Sequence, residues 1–304
     1  MTVDLVSALV SLGYTEREAA FLYLVAAHSG YFLRRQFNYF IDRHKGFLAA
    51  RFLEKAHDAG HVETIDYGQG FHVYHLFAKP IYRLLGNADS QNRRRKGDGM
   101  IRAHLMALDY VLENEDEHYL VSELERLRFF TEVRSVQAEN LSNDCSFSAT
   151  FPIAIADRTQ PATSLVRFVF IDEGLLSMRK FSRFLADMAP LLHELGTFEL
   201  IYVACADYNF PAAEREFRRQ FHPLVPPQQR LLRPDWLTDA HMASQQHRAP
   251  RNAQFTTLLF HYSYPSLQRN EPRGSVNGSG GGSVEPLVND GGHKDASDTG
   301  SLRG

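Results

Sequence analysis

The sequence predicts an α+β protein in three parts: helices ending in a β-hairpin, a helical connector, and a C-terminal α/β domain with a central sheet. Three observations predict it. Apolar residues recur at helical spacing through residue 58, and two extended runs around a Gly-containing turn follow at 61–77. From 147 the pattern becomes strand, strand, helix, strand, helix. The 304 residues and 44% hydrophobic content are enough for a sizeable core and unlike a disordered chain.

Taken in order, Thr15 and Glu18 form a capping box ahead of the apolar run Ala19–Ala27, so helix 15–28 is buried, and Gly30 closes it. A short helix fits 33–40. Asp42 is placed to cap a third helix, 43–58, whose core face is Phe47, Leu48, Phe52, Leu53 and Ala56, with Gly60 at its end. HVETID (61–66), YGQG (67–70) and FHVYHLF (71–77) read as a hairpin, and Lys79–Leu85 as a closing helix. Three helices and then a hairpin is the order of a winged helix-turn-helix, in which the third helix reads the major groove and the hairpin is the wing.

NADSQNRRRKGDG (87–99) is a basic polar linker. Helices follow at 100–114, striped by Ile101, Leu105, Leu108 and Leu112, and at 119–133, striped by Leu120, Leu124, Leu127 and Phe130. Strands are expected at 147–157, 166–173, 198–205 and 255–264, and helices at 176–194, kinked or shortened by Pro190, and at 211–221. Residues 222–254 give no clear pattern. Nine of the 20 glycines fall in Glu271–Gly304, which has almost no large apolar side chains and reads as a disordered tail. The expected division is a winged helix at 1–86, linker and connector at 87–135, the α/β domain at 136–268 and the tail at 269–304.

The net charge of -3 averages unlike parts. Residues 31–96 carry +6, whereas 105–125 hold seven acids and no Lys or Arg. A basic window in an acidic chain points to a local anionic partner, here double-stranded DNA. Its candidate contacts are Arg34 and Arg35 before the third helix, and Arg43, His44, Lys45 and Arg51 on it. Gln69 and His72 sit on the wing, and Arg93, Arg94, Arg95 and Lys96 in the linker. The competing use of the same fold is protein docking, with the basic side chains merely solvated.

A second constellation is Asp157, Asp172, Glu173 and Lys180. Carboxylates at strand ends with a nearby Lys can hold Mg²⁺ in a nuclease, with Asp157 and Asp172 as the metal ligands. Here Lys180 lies seven residues beyond Glu173, so a capped strand end is the preferred reading. No favoured cofactor, metal or catalytic residue emerges. His72 and His75 point to opposite strand faces, and Cys145 and Cys205 stand alone. No phosphate-binding Gly-rich loop is present. No apolar run approaches the roughly 20 residues of a membrane span, and MTVDLVSALV lacks a basic region ahead of an apolar stretch. A cytoplasmic location is the expectation.

AARFLEKAHDAGHVETIDYGQGFHVYHL (49–76) resembles the recognition-helix and wing signature of the replication-relaxation family, winged-helix proteins of plasmids and integrative conjugative elements. Arg51, Leu53, Gly60, Tyr74, His75 and Leu76 occupy the signature positions, and IRAHLMALDYVL (101–112) is similar to the helix after the wing. The resemblance implies regulation, replication or transfer of a mobile element, with a protein partner from that element among the alternatives. It also implies a restriction-endonuclease-like C-terminal half. In FVFIDEG, Phe170 stands where that pattern has Glu, Asp172 stands at its Asp and Lys180 at its helical Lys, which implies a degenerate, non-catalytic domain. Winged-helix readers commonly dimerise, and the Leu stripes after the linker are candidates for the seam or for packing on the α/β domain.

Overall fold

The computed structural model describes residues 2–42, 47–141, 151–175, 177–222, 227–232 and 255–263. The chain divides into two units, 1–264 and 265–304, and all described elements belong to the first. The expected tail at 269–304 lies outside the described residues.

The first unit has a mixed α+β fold, with two sheets among the described residues. It begins with a helix the sequence pattern did not announce, α1 (Thr2–Val10), packed on α2 (Glu16–His28). The capping box at the start of α2 is closed in both directions. Glu18 N donates to Thr15 Oγ1 at 3.3 Å, and Thr15 N donates to Glu18 Oε2 at 2.9 Å. Then come β1 (Tyr31–Phe32), α3 (Arg34–Phe40), α4 (Phe47–Asp58), β2 (Val62–Asp66) and β3 (His72–Leu76). The strands form an antiparallel sheet in the order β1-β3-β2, with Asp66 opposite His72 and Val62 opposite Leu76.

The core of this part is aromatic. Phe21, Phe32, Phe37 and Phe52 meet at 4.2–6.0 Å between ring centroids. Such pairs contribute about 0.5–1.5 kcal/mol each beyond area burial. The expected core face of α4 is corrected at its N-terminal end. Phe52 and Ala56 are buried, but Phe47 is 72% and Leu48 50% exposed. They lie in the first described turn of α4, whereas Phe52 one turn on packs against Phe21 and Phe37. Asp42, expected to cap this helix, is exposed with φ +54°, and the first residues of the expected helix, 43–46, fall outside the described residues.

α5 (Lys79–Leu84) closes the hairpin, and a 3-10 turn at Gln91–Arg93 leads to α6 (Asp98–Glu113). α6 is the axle of the unit. Ile101, Leu105, Leu108 and Leu112 pack into the N-terminal clusters, whereas Met106, Tyr110 and Val111 pack under the second sheet. The Leu stripe of α6 is therefore consumed within the chain and cannot serve as a dimer seam. The expected helix 119–133 resolves into three pieces: β4 (His118–Tyr119), α7 (Glu123–Arg128) and a π-helical turn at Phe129–Val133. Its stripe does not face one way, since Leu120 and Phe130 are buried while Leu124 and Leu127 are exposed. The break comes from Ser122, which caps α7 in a second box with Glu125 and so starts the helix later.

The second sheet contains β4, β5 (Ile153–Ile155), β6 (Val166–Asp172), β7 (Thr197–Ala204), β8 (Gln228–Leu232) and β9 (Phe255–Ser263). Its order is β4-β5-β6-β7-β9-β8. Among the described strands only β6 and β7 are parallel, and they are joined through α8 (Ser177–Leu195). The expected strand 147–157 is described only from 151, and Cys145 lies outside. β8 arises in the stretch that gave no pattern. Alternation assigns the faces. Phe168, Phe170, Phe198, Leu200 and Tyr202 lie under α8 and α9 (Phe210–Phe221), whereas Val169, Ile201 and Val203 face α6. α8 runs through Pro190 rather than ending there. Pro190 is on the exposed face, so its ring meets no core side chain, and the packing of Met188, Leu191 and Leu192 holds the helix across it.

Candidate nucleic-acid interface

Three segments of the basic window surround the small sheet: the wing at its end, the linker docked on the Tyr31–His75 face, and α4 packed on the opposite face with Phe32, Val62 and Leu76. The first is the turn between β2 and β3. Gly68 N donates to Asp66 Oδ1 at 2.8 Å, and Tyr67 N donates to the Phe71 carbonyl at 3.0 Å. Gly68, Gln69 and Gly70 all have positive φ, which glycine adopts freely on either side of Gln69. Gln69 therefore stands exposed at the tip. His72 lies near the base of the wing with Nδ1 3.4 Å from Asp66 Oδ1.

The second segment is the linker, which is docked rather than loose. Asn92 Nδ2 donates to the carbonyls of Ala26 and Ala27 at 3.1 and 3.2 Å, capping the end of α2. Tyr31 pins the chain that follows. Its hydroxyl donates to the Arg94 carbonyl at 3.1 Å and accepts from Lys96 N at 2.8 Å. The ring of Tyr31 is fully buried and stacks on His75 at 4.4 Å, so the pin is rigid. Farther on, Tyr67 of the wing donates to Asp98 Oδ1 at 2.8 Å, tying wing and linker together. The linker backbone is thus fixed while Arg94 and Arg95 remain exposed. Arg93 and Lys96 are half-buried, and burial followed by the nearby Arg94 charge lowers the Lys96 pKa.

The third segment is α4. Arg51 is exposed on it, beside Glu54, His57 and Asp58 on the outer faces. Lys55 is turned back toward the core of the helices, with Nζ 2.5 Å from Glu18 Oε2. Arg43, His44 and Lys45 lie outside the described residues.

Arg34 is exposed at the start of α3. Arg35 is a correction. It turns inward and grips Asp109 of α6, with Nη1–Oδ1 at 2.8 Å and Nη2–Oδ2 at 2.5 Å. Gln36 Nε2 adds a bond to Asp109 Oδ1 at 2.9 Å. A guanidinium held this way is a structural clamp, not a phosphate contact.

The carboxylate constellation does not assemble. β5 runs antiparallel to β6, with Ile155 opposite Val166, so Asp157 lies at the start of β6 and Asp172 at its far end. Asp157 is exposed and accepts from Thr159 N and Oγ1, each at 2.7 Å, which holds its carboxyl below the usual range. Asp172 is buried and saturated. It accepts from Gly174 N at 2.7 Å, Tyr202 OH at 2.5 Å, Asn209 Nδ2 at 3.0 Å and Ser177 Oγ. These bonds tie the end of β6 to the starts of α8 and α9. Glu173 is buried and paired with Lys180. Among the described residues no group of three or more His, Cys, Asp or Glu is arranged to hold a metal.

Sequence reasoning missed Tyr31 and Asn92, the two side chains that dock the basic linker. Neither has a periodic signature. The available hint was Gly30, whose added Cβ would come 2.1 Å from the Asn92 carbonyl oxygen. Comparison of the chain with family models, curated proteins and solved structures finds no match.

Proposed function

We propose that the N-terminal part is a winged helix-turn-helix that binds double-stranded DNA, with α4 as the recognition helix, the turn 67–70 as the wing and Arg94 and Arg95 as phosphate contacts. The observation that carries this reading is the element order α2-β1-α3-α4-β2-β3 with its three-stranded antiparallel sheet. In such a fold the exposed helix before the hairpin enters the major groove. The docked linker supports it, because two exposed guanidiniums on a fixed backbone meet phosphates without the further cost of ordering the main chain. A role on a mobile element is taken from the resemblance of residues 49–76 alone. Catalysis by the C-terminal part draws no support from Asp157 and Asp172, which stand at opposite ends of β6.

The test is duplex binding across a salt series, followed by sequencing of the DNA recovered with the purified protein. Substituting Arg94→Ala and Arg95→Ala should weaken binding to all sequences and lower the slope of log affinity against log salt by about 0.9 per lost contact. Arg51→Ala should change which sequences are recovered. Unaltered affinity and slope in the double variant would remove the linker from the interface.

A specific observation favours a second reading, protein docking. Phe47 and Leu48 are exposed in the first turn of α4. Apolar side chains at that position can touch thymine methyl groups in a groove, but they also suit a protein surface. Phe47→Ser with Leu48→Ser separates the two. DNA reading predicts an altered sequence preference, whereas docking predicts unchanged DNA behaviour.

A further inference from the structure

A cleft of about 570 Å³ opens between α2, α5, the C-terminal end of α6 and the β4–β5 edge of the larger sheet. Small-molecule sites occupy about 300–1,000 Å³. The cleft involves none of the residues assigned to DNA. Its deep part is aromatic and apolar: Tyr82, Tyr119, Val111 and Ile155 are buried, and half-buried Tyr23 forms part of the wall. Glu115 and Asp116 are exposed at its mouth, and Glu125 lines it as well. Glu117 also reaches it but is held by Arg167. Arg158 is the one Lys or Arg among the described lining residues and Arg126 lies near His28, so the excess of carboxylate charge sits at the mouth, on Glu115 and Asp116.

His28 supplies an independent observation. It lines the same cleft, is 7% exposed and stands edge-on to Tyr119 with ring centroids 5.0 Å apart. Its one described side-chain contact is this ring contact with Tyr119, with no hydrogen bond from the imidazole to another described residue, which leaves the ring's polar edge to whatever occupies the cleft. Burial, and then the nearby Arg126 charge, pushes its pKa down to about 3, so the imidazole is neutral. A neutral imidazole offers one donor and one acceptor nitrogen.

We propose that this cleft binds a small organic cation carrying an ammonium or guanidinium group. The carboxylates at the mouth favour positive charge and disfavour anions. The ring faces of Tyr23 and Tyr119 attract a desolvated cation, and the neutral His28 ring accepts a hydrogen bond from its N–H.

Calorimetric titration of the full chain, freed of nucleic acid, at low ionic strength tests this. The probes are agmatine, spermidine, tetramethylammonium and N-acetyl-argininamide, with sodium acetate as the anionic control. Binding of one or more cations and none of acetate is expected. Glu115→Gln with Asp116→Asn, both exposed, should weaken binding about tenfold or more. His28→Gln, which keeps hydrogen-bonding groups, and Tyr23→Leu should each weaken it as well, with circular dichroism confirming that the variants fold. Binding of N-acetyl-argininamide identifies a basic side chain as a source of the cation. Binding of agmatine or spermidine without it identifies a free amine. Absence of heat with all four cations at millimolar concentration overturns the proposal. So does cation binding that is unchanged in the Glu115→Gln/Asp116→Asn variant.

Discussion

Arg35 and Asp109, 74 residues apart in sequence, meet through two parallel N–H···O bonds of 2.8 and 2.5 Å and so clamp α3 to α6. Asp109 is buried and Arg35 largely so. Asp109→Ala strands a guanidinium and should cost about 3 kcal/mol in urea unfolding. Arg35→Met combined with Asp109→Leu should recover most of that loss, because neither charge is then left buried alone. A single-variant cost below about 1 kcal/mol, the level of a surface pair, would rule out the clamp.

Gly30 holds the linker close. Its φ is +78°, and an added Cβ would lie 2.1 Å from the Asn92 carbonyl oxygen. Gly30→Ala should cost more than about 1 kcal/mol from backbone conformation alone. The clash should also push the linker outward, and limited trypsin digestion should then cut faster at Arg93–Lys96. Equal cleavage rates in the two proteins would show that the linker does not depend on this contact.

Asp172 acts as a structural acceptor for donors from four residues. Asp172→Ala leaves Tyr202, Ser177 and Asn209 without it, and a stability loss of about 2–3 kcal/mol is expected. Thermal unfolding with and without Mg²⁺ distinguishes this from a metal role. Mg²⁺ should leave the midpoint of the wild-type chain unchanged. A rise in the wild type that disappears in Asp172→Ala would point to a bound cation instead.

Acid should destabilise the fold through two buried histidines. Burial lowers the pKa of His104 to about 4 and that of His28 to about 3, both from 6.5, and nearby cations add to the shift. The unfolded chain therefore binds more protons than the folded one once the pH falls below 6.5. Stability is fully present above that value and declines as the pH drops toward 4 and 3. Each histidine contributes a slope approaching about 1.4 kcal/mol per pH unit. His104→Leu should flatten the profile between pH 6 and 4, as measured by urea unfolding across pH. A profile identical to that of the wild type would exclude His104 as a source of the acid sensitivity.

What the sequence showed most clearly was local. The box Thr15–Glu18 starts α2, the Gly-flanked turn at 67–70 joins β2 to β3, and the largely apolar run at 166–172 forms β6. Each depends on neighbours a few residues away, so a periodic pattern carries it. The helix read at 119–133 failed because Ser122 and Glu125 form a box inside it, and local capping outweighed the spacing of four apolar residues.

The candidate contacts divide in the same way. Arg51, Gln69, Arg94 and Arg95 are exposed, as a basic window suggests. Arg35 has the same composition signal yet is buried against Asp109, because α6, which follows the hairpin and linker in the chain, packs back on α3.

By itself, then, the sequence determined α2, the hairpin β2–β3, α6, the apolar strands β6, β7 and β9, helices α8 and α9, and the basic window at 31–96. Tertiary structure alone decided which charges in that window remain outside and which carboxylates share a site. Asp157 and Asp172 looked like a pair because each ends an apolar run. The antiparallel pairing of β5 with β6 puts them at opposite ends of one strand. Strand direction and the partners of a buried charge are set by contacts across tens of residues, and no local period records those contacts.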